Sequence, residues 1–323
     1  MKRFENIIKP VVFILILFCI IGLLTPIFRP KDNTREAGMP DFRANGILSE
    51  PKDTIDVLVI GDSESYTSFS PMEIWSQYGY TSYVMGSNAQ KIYQSYNYLL
   101  LALEYQHPKV VILETNTFYR KLKNDLKIIS FMERYSPFIK YHDRWKTLHW
   151  NDFYADVEYT NRNDLKGYYY IGYSKPYKES KPMYMHKVND RQILPKDDEY
   201  YIRKIYEVCQ KNDIELMFYT APQIKNWWYS KHNTTQDLAT ELGINYVDTN
   251  LVSDIDIDWV TDTKDIGDHV NYYGAKKVSS YMGKYLGEKY DLVDHRGDPK
   301  YASWNDSLEF YNSIIADENI TRY

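Results

Sequence analysis

The chain begins with a long apolar run and then turns polar. Between Val11 and Phe28 there is no charged side chain, and Lys2, Arg3 and Lys9 precede the run. A helix needs about 20 apolar residues to cross the hydrocarbon core of a bilayer, and snorkelling side chains at its ends can cover a small shortfall. The pattern therefore predicts a membrane-spanning helix near the N-terminus.

A cleavable signal peptide is the rival interpretation of this run. Signal peptides end in small residues in an A-x-A-like arrangement, which the sequence TPIF at 25–28 does not supply. Cys19 also lacks the small residues that precede a lipoprotein cysteine. We expect an uncleaved anchor on residues 1–28, with a short basic tail inside the cell and a large domain outside. Arg29 and Lys31 follow the run, so the distribution of basic residues favours this orientation less strongly.

Beyond the anchor, a linker precedes an alternating pattern. Residues 29–53 are polar and contain several prolines, which is typical of a linker that lifts a domain off a membrane. Short apolar runs predict strands at Ile55–Ile60, Tyr83–Met85, Lys109–Leu113, Ile214–Tyr219 and Ile244–Val247. Helical spacing of apolar residues predicts helices at Pro71–Tyr78, Gln90–Tyr105, Tyr200–Cys209, Thr234–Leu242 and Tyr272–Leu286. The alternation indicates βαβ units and a mostly parallel sheet with helices on both faces.

One stretch interrupts this alternation. Residues 121–195 are aromatic, charged and poorly periodic. We interpret them as an insertion in the α/β domain, beside or over its functional site. The predicted organisation is thus an anchor at 1–28, a linker at 29–53 and one domain at 54–323.

Composition excludes several function classes. The chain has 323 residues, of which 44% are hydrophobic, so it can bury a core. A net charge of −5 leaves no basic field to hold nucleic acid. Its two cysteines, Cys19 and Cys209, are poorly placed for a disulfide because Cys19 lies in the apolar run. No GxGxxG, Walker A, HExxH or CxxC pattern occurs, so we predict neither a cofactor nor a metal ion.

Small polar motifs follow the predicted strands. Ser63 comes after the first strand, Gly86 after the second and Asn116 after the third, while His269 precedes the last predicted helix. Each alone has a simpler explanation as a helix cap, a turn or a surface histidine. Ligands of open parallel sheets bind beyond the carboxyl ends of the strands, so we expect all four residues at one edge. Together they are typical of acyl transfer, in which an imidazole activates a serine and amides stabilise the oxyanion.

These motifs resemble the conserved blocks of the SGNH (GDSL) hydrolase superfamily. VLVIGDSES around Ser63 resembles the first block, MGSNAQ around Gly86 the second, and DIGDHVNYYGAKK around His269 the fifth. ETNTF resembles the third block, with Asn116 retained and Glu114 in place of the usual glycine. The resemblance implies a three-layer, flavodoxin-like α/β fold with Ser63 as nucleophile and His269 as base. It also implies an oxyanion hole formed by the Ser63 and Gly86 N–H groups and the Asn116 amide.

The carboxylate partner of the histidine departs from the family pattern. The family has aspartate three residues before its histidine, and here position 266 is Ile. Asp265, four residues before His269, would lie on the same face of a helical turn, which favours it. Asp268 is adjacent to the histidine, and neighbouring side chains usually diverge, so it is the alternative.

The motif WWYSKHN supplies the candidate substrate contacts. Trp228 is one of them, as an aromatic residue near the predicted site. His232 is a rival to His269 as the base, but its place at the start of a predicted helix suits substrate contact or capping better.

The predicted membrane anchor favours one of the reactions that members of the superfamily catalyse. Anchored members include relatives of alginate and peptidoglycan O-acetyltransferases and the protein that helps transfer D-alanine to teichoic acid, and these work beside a membrane-bound O-acyltransferase. The resemblance therefore implies transfer of an acyl group, expected to be acetyl, from Ser63 to an extracellular or cell-wall glycan with such a partner. A membrane-anchored carbohydrate esterase with the same residues is the alternative. An inactive glycan-binding scaffold is the second alternative, which the Glu114 departure keeps open.

Overall fold

A computed structural model describes residues 2–121 and 136–323 of the chain. The chain divides into two compact units, Met1–Phe42 with Lys123–Asn161 and Arg43–Leu122 with Arg162–Tyr323. Part of the predicted insertion, 122–135, lies outside the described residues, and 162–195 belongs to the larger unit. The predicted bounds of anchor, linker and domain stay predictions.

The core of the larger unit is a five-stranded, all-parallel sheet. In chain order its strands are β1 Val57–Gly61, β2 Ser82–Gly86, β3 Val110–Glu114, β4 Glu215–Thr220 and β5 Asn245–Asp248. Their spatial order is β2-β1-β3-β4-β5, the flavodoxin-like order, in which the winding reverses between β1 and β3. All residues of β1, β2 and β3 are buried, as expected of a parallel sheet covered on both faces. The predicted α/β class and parallel sheet are confirmed.

Helices occupy the connections of this sheet and the N-terminus of the chain. In chain order the described α-helices are α1 Lys2–Phe28, α2 Ser63–Ser68, α3 Pro71–Tyr78, α4 Ile92–Ala102, α5 Pro137–Lys140, α6 Lys196–Lys211, α7 Tyr229–Leu242, α8 Tyr272–Lys289 and α9 Ala302–Ala316. Each predicted strand and helix is present. The helix Pro71–Tyr78 has its predicted bounds, and the ends of the other elements differ by up to five residues. Three described helices were not predicted from the sequence: α2 and α5, which are short, and α9. The buried residues Trp304, Tyr311 and Ile314 of α9 recur at helical spacing, so the sequence pattern could have predicted this helix.

Capping residues fix the ends of the helices that flank the functional edge of the sheet. Ser70 accepts a hydrogen bond from the Glu73 N–H at 3.4 Å, and Pro71 occupies the first position of α3, where no N–H is needed. Asn271 caps α8 by accepting from the N–H groups of Tyr273, at 3.0 Å, and Gly274, at 3.4 Å. The Asn271 cap also ends the loop that carries His269.

The smaller unit is built on α1. The stretch Ile8–Phe28 of this helix is long and apolar enough to cross a membrane, although an N-terminal signal sequence would meet the same criteria. Most of its large apolar side chains are exposed. Its C-terminal end packs against α5 and against two short 3₁₀ turns, His142–Lys146 and Trp150–Phe153.

Candidate active site

Ser63 lies where β1 ends and α2 begins. The Asp62 carboxylate caps α2 by accepting a hydrogen bond from the Glu64 N–H at 3.0 Å, so Ser63 occupies the first helical position. A side chain on Gly61 would collide with that of Glu114 on the neighbouring strand, so this position requires glycine. The strand end and the cap together place Ser63, which is only 6% exposed, at the carboxyl edge of the sheet.

His269 links this serine to a carboxylate. The Ser63 Oγ atom lies 2.9 Å from the His269 Nε2 atom. The Nδ1 atom of the same ring lies 2.7 Å from the Asp265 Oδ2 atom. An ionised carboxylate only accepts hydrogen bonds, so Nδ1 carries the proton and Nε2 is free to accept from the serine hydroxyl. This is the arrangement that general-base activation of a serine requires.

The backbone before His269 selects Asp265 over Asp268. Ile266, with φ of 63°, and Gly267, with φ of 80°, both adopt the left-handed region. The chain turns back there, and Asp265 Oδ1 also accepts a hydrogen bond from the His269 backbone N–H at 2.7 Å. Asp268 instead accepts from the Asn226 side chain at 2.7 Å, and its Oδ2 atom lies 3.9 Å from His269 Nδ1. A left-handed β-branched residue is unusual, and Ile266 holds this conformation next to the functional side chains.

The loop is held from inside by Thr263. Its Oγ1 atom donates to the His269 carbonyl at 2.8 Å and accepts from the Gly267 N–H at 2.9 Å. Thr263 is fully buried and also forms an antiparallel bridge with Val270. These bonds fix the position of the histidine backbone.

Asp265 is favoured in its ionised form. Burial raises the pKa of its carboxyl, but the hydrogen bonds and charge of His269, together with the Lys264 ammonium, outweigh burial and leave the pKa below its ordinary value. A carboxylate that is charged at neutral pH can stabilise the imidazolium that forms when His269 takes the serine proton.

We expect Asp265→Asn to lower turnover of an acetyl ester by about 10²–10⁴-fold, because the amide no longer fixes the imidazole tautomer. Asp268→Asn is the matched control, with the same chemical change three residues along the loop, and should stay within a few-fold of wild type. The measurement is kcat at pH 7 for both variants, with their melting temperatures compared to exclude misfolding. A larger loss in Asp268→Asn than in Asp265→Asn would contradict the assignment.

Three buried carboxyl groups lie beneath the nucleophile. Asp62 Oδ2 accepts from Arg120 Nε at 2.5 Å and from Asn116 Nδ2 at 3.0 Å. Glu114 Oε1 caps the turn after β3 by accepting from the Asn116 N–H at 2.7 Å. This cap is what Glu114 contributes at the position where the motif that the sequence resembles usually has glycine. Burial, then the charge of Asp62, raises the pKa of Glu114 well above its ordinary value.

The third of these carboxyl groups faces the imidazole. Glu64 Oε1 lies 3.5 Å from His269 Nε2, and Glu64 Oε2 is buried without a hydrogen-bond partner among the described residues. Burial and the neighbouring charges of Asp62 and Glu114 raise the pKa of Glu64 well above its ordinary value. Its surroundings disfavour the ionised form of Glu64, so Asp265 is the carboxylate better placed to balance a positive charge on His269.

The same corner brings three potential metal-binding side chains together. Ligand atoms of Glu64, Asp268 and His269 lie within 4.8 Å of one another. The set fits a hydrogen-bonded site better than a metal site, because His269 Nε2 already faces the Ser63 hydroxyl and burial disfavours the ionised form of Glu64 that a metal ion would need.

Besides the Ser63 N–H, the predicted oxyanion donors lie at the ends of the two strands that flank β1. Gly86 ends β2 in register with Gly61 at the end of β1. A Cβ on Gly86 would come within 2.8 Å of the Ser65 hydroxyl, so glycine lets α2 approach β2 closely. Asn116 lies in the 3₁₀ turn Thr115–Tyr119 after β3. Its side-chain nitrogen carries two N–H donors, of which Asp62 accepts one.

The predicted substrate contacts lie around the start of α7. His232 Nδ1 is 2.9 Å from Asp248 Oδ2 at the end of β5, and the Trp227 Nε1 atom donates to the same oxygen at 2.9 Å. His232 thus has a carboxylate partner of its own, and the histidine that contacts Ser63 is His269. Trp228 is 41% exposed, and the Lys231 ammonium lies 4.0 Å from its ring centroid. Contact of either Trp228 or His232 with substrate stays a prediction.

Several site residues escaped the sequence analysis. Glu64 stands next to Ser63 in the first motif and could have been flagged from its position alone. Arg120 and Asn226, which orient Asp62 and Asp268, carried no local signal because their partners are 58 and 42 residues away.

The described fold is similar to several solved structures of proteins that are named as ester hydrolases. A Bacteroides fragilis protein described as an acylhydrolase aligns with a TM-score of 0.39 and 13% identity, over 76% of this chain and 94% of that one. A GDSL-like lipase from Bacteroides thetaiotaomicron aligns with a TM-score of 0.35 and 12% identity, over 72% of this chain and 88% of that one. A family 3 carbohydrate esterase from Clostridium thermocellum aligns with a TM-score of 0.33 and 14% identity, over 72% of this chain and 96% of that one. Likenesses this distant carry no argument about activity. No protein-family model and no curated protein matches the chain.

Proposed function

We propose that the chain is a serine-dependent acyl-ester enzyme of the SGNH kind. The observation that carries the proposal is the continuous hydrogen-bonded chain from Ser63 Oγ through the His269 ring to Asp265 Oδ2, with distances of 2.9 and 2.7 Å. Its supports are the flavodoxin-like strand order and the position of Ser63 directly beyond the end of β1.

In the proposed first half-reaction, Ser63 takes the acyl group from a donor ester. His269 Nε2 removes the hydroxyl proton as Oγ attacks the acyl carbon. The N–H groups of Ser63 and Gly86 and the Asn116 amide stabilise the oxyanion of the tetrahedral intermediate. The imidazolium, balanced by ionised Asp265, then donates its proton to the leaving alcohol, and an acyl-serine remains.

The second half-reaction decides between transfer and hydrolysis. His269 Nε2 removes a proton from an acceptor hydroxyl or from water, which attacks the acyl-serine, and Ser63 regains its proton as the bond to Oγ breaks. We propose transfer, with an acetyl group and an extracellular or cell-wall glycan as acceptor. The carbohydrate esterase is the second candidate, because the same triad serves both reactions.

The proposed location follows from α1. We propose that this helix anchors the protein with its N-terminus inside the cell and the larger unit outside, where it receives the acyl group from a membrane-bound O-acyltransferase partner. The support is the apolar stretch Ile8–Phe28 and the basic residues that precede it.

The two reactions can be separated with one donor. The full-length protein is incubated with an acetyl ester, with and without a soluble cell-wall glycan fragment, and both free acetate and acetylated glycan are measured. We expect acetylated glycan to accumulate while the acetate released per donor consumed falls, because the two nucleophiles compete for one acyl-serine. Ser63→Ala is the blank. If the amount of acetate released is the same with and without the glycan, the protein acts as an esterase and the transfer proposal is wrong.

A further inference from the structure

The smaller unit exposes a group of large aromatic side chains. Trp145 is 64% exposed, Trp150 83%, Phe153 56% and Tyr154 74%. They lie within ten residues of one another in the sequence, and we call them the aromatic collar. The ring centroids of Trp150 and Phe153 are 5.8 Å apart, and clustered exposed apolar side chains of this kind usually mark an interaction site.

The collar lies beside the C-terminal end of α1. Arg144 Nη1 donates to the carbonyl oxygens of Ile27, at 3.3 Å, and Phe28, at 2.9 Å, the last two residues of the helix. The 3₁₀ turns His142–Lys146 and Trp150–Phe153, which carry most of the collar, both contact α1. The collar therefore lies at the level of one end of the apolar helix.

A buried ion pair holds the collar in place. Arg144 is 5% exposed, and its Nη2 atom lies 2.6 Å from Asp152 Oδ1. The other oxygen of Asp152 accepts from the His149 N–H at 2.8 Å. Because Arg144 binds both the helix end and the turn that contains Asp152, the collar has a fixed position relative to α1.

The position and chemistry of the collar fit a lipid surface. The exposed apolar side chains of α1 and those of the collar belong to the same unit. Tryptophan and tyrosine concentrate at the headgroup level of bilayers, where one end of the ring is apolar and the other is wet. One basic side chain lies beside a collar ring, with Lys146 Nζ 5.6 Å from the Trp145 ring centroid and 3.2 Å from Asp143 Oδ1. Lys140, whose Nζ lies 5.2 Å from the ring centroid of Tyr141, adds a second ammonium group near the collar in the sequence. Such ammonium groups can meet lipid phosphates.

We propose that the aromatic collar is a membrane-interface surface, which inserts into the headgroup region of the bilayer that α1 crosses, on the side where α1 ends. The inference rests on the proposal that α1 is a membrane anchor. The collar fixes the depth and tilt of the helix end, which a single helix with flexible flanks would not do.

The depth of single positions in the bilayer tests this inference. The full-length protein is reconstituted in vesicles of phosphatidylcholine and phosphatidylglycerol, and spin labels are attached at Trp150→Cys or Phe153→Cys in a chain whose own cysteines are alanine. Glu158→Cys is the matched control, since this residue is exposed in the same unit and its N–H binds the Lys31 carbonyl beyond the helix end. Native Cys19, labelled in a Cys209→Ala chain, reports on the span itself. Accessibility of each label to oxygen and to a water-soluble nickel complex gives its depth.

We expect positions 150 and 153 to favour oxygen several-fold more than position 158, and position 19 to favour it most. If the labels at positions 150 and 153 are more accessible to the nickel complex and the label at position 19 is more accessible to oxygen, the collar does not enter the bilayer. The proposal for the collar would then be wrong and the proposal for the anchor would stand. Labels at 150 and 153 that neither reagent reaches would show a protein surface in place of lipid and would also overturn the proposal for the collar. A water-like label at 19 would overturn the anchor, and this inference with it. None of these outcomes depends on enzymatic activity.

Discussion

Ser63→Ala should reduce turnover of an acetyl ester by about 10³–10⁶-fold, because it removes the atom that attacks the acyl carbon while the oxyanion donors remain. The reason is geometric. Ser63 Oγ is the hydroxyl that the structure places 2.9 Å from His269 Nε2. The measurement is twofold, with steady-state hydrolysis of the ester and covalent labelling by a serine-directed phosphonate followed by peptide mass mapping. The phosphonate should label wild type at Ser63 and leave Ser63→Ala unlabelled.

Ser65→Ala is the matched control for this experiment. It removes a hydroxyl from the same helix, two residues away, whose bond is to the Asp62 backbone carbonyl at 2.7 Å. This variant should keep its label at Ser63. A wild-type protein that takes no label, or a Ser63→Ala protein labelled as strongly as wild type, would remove the enzyme interpretation and favour the inactive glycan-binding scaffold.

Much of the larger unit was predictable because its elements have strong local signals. A buried parallel strand is a short, continuous apolar run, and Lys109–Leu113 and Ile214–Tyr219 show this pattern against polar flanks. The rule that ligands bind beyond parallel strand ends then places Ser63, Gly86 and Asn116 on one edge before any coordinates are known.

The finer geometry of the site depends on features that spacing does not encode. The helical-turn argument favoured Asp265, yet the described loop brings it to His269 through a left-handed turn at Ile266, not through a helix. Glu64 gains its position beside His269 from the folding of α2, and its raised pKa from burial among other carboxyl groups. Such effects arise only when distant segments pack together.

A buried ion pair in the larger unit was equally invisible in the sequence. Lys166 Nζ lies 2.8 Å from Glu50 Oε1, both side chains have no exposed surface, and the Trp304 ring centroid is 5.0 Å from the ammonium. The Lys166 carbonyl accepts from the Val84 N–H at 2.9 Å and so covers part of β2, an edge strand. The pair thus connects two distant segments of chain at the edge of the sheet.

Lys166→Met should therefore lower the free energy of unfolding by about 3–5 kcal/mol, because it leaves the Glu50 carboxylate buried without its counter-charge. Methionine keeps the length of the side chain and is no worse than lysine for the left-handed backbone at this position, where φ is 51°. The measurement is the urea unfolding midpoint of the full-length chain in detergent, followed by tryptophan fluorescence. Lys289→Met, at an exposed site on α8, should change the midpoint little.

The double variant Glu50→Gln/Lys166→Met separates the buried charge from lost packing. If the unpaired carboxylate causes the loss, removing both charges should restore a large part of the stability that Lys166→Met alone removes, since a buried pair replaced by uncharged groups is often close to neutral. If lost packing of the lysine stem against Trp304 causes the loss of stability, the double variant should be no more stable than Lys166→Met. A Lys166→Met protein within about 1 kcal/mol of wild type would contradict the pairing itself, since a buried charge that loses its partner cannot be that inexpensive.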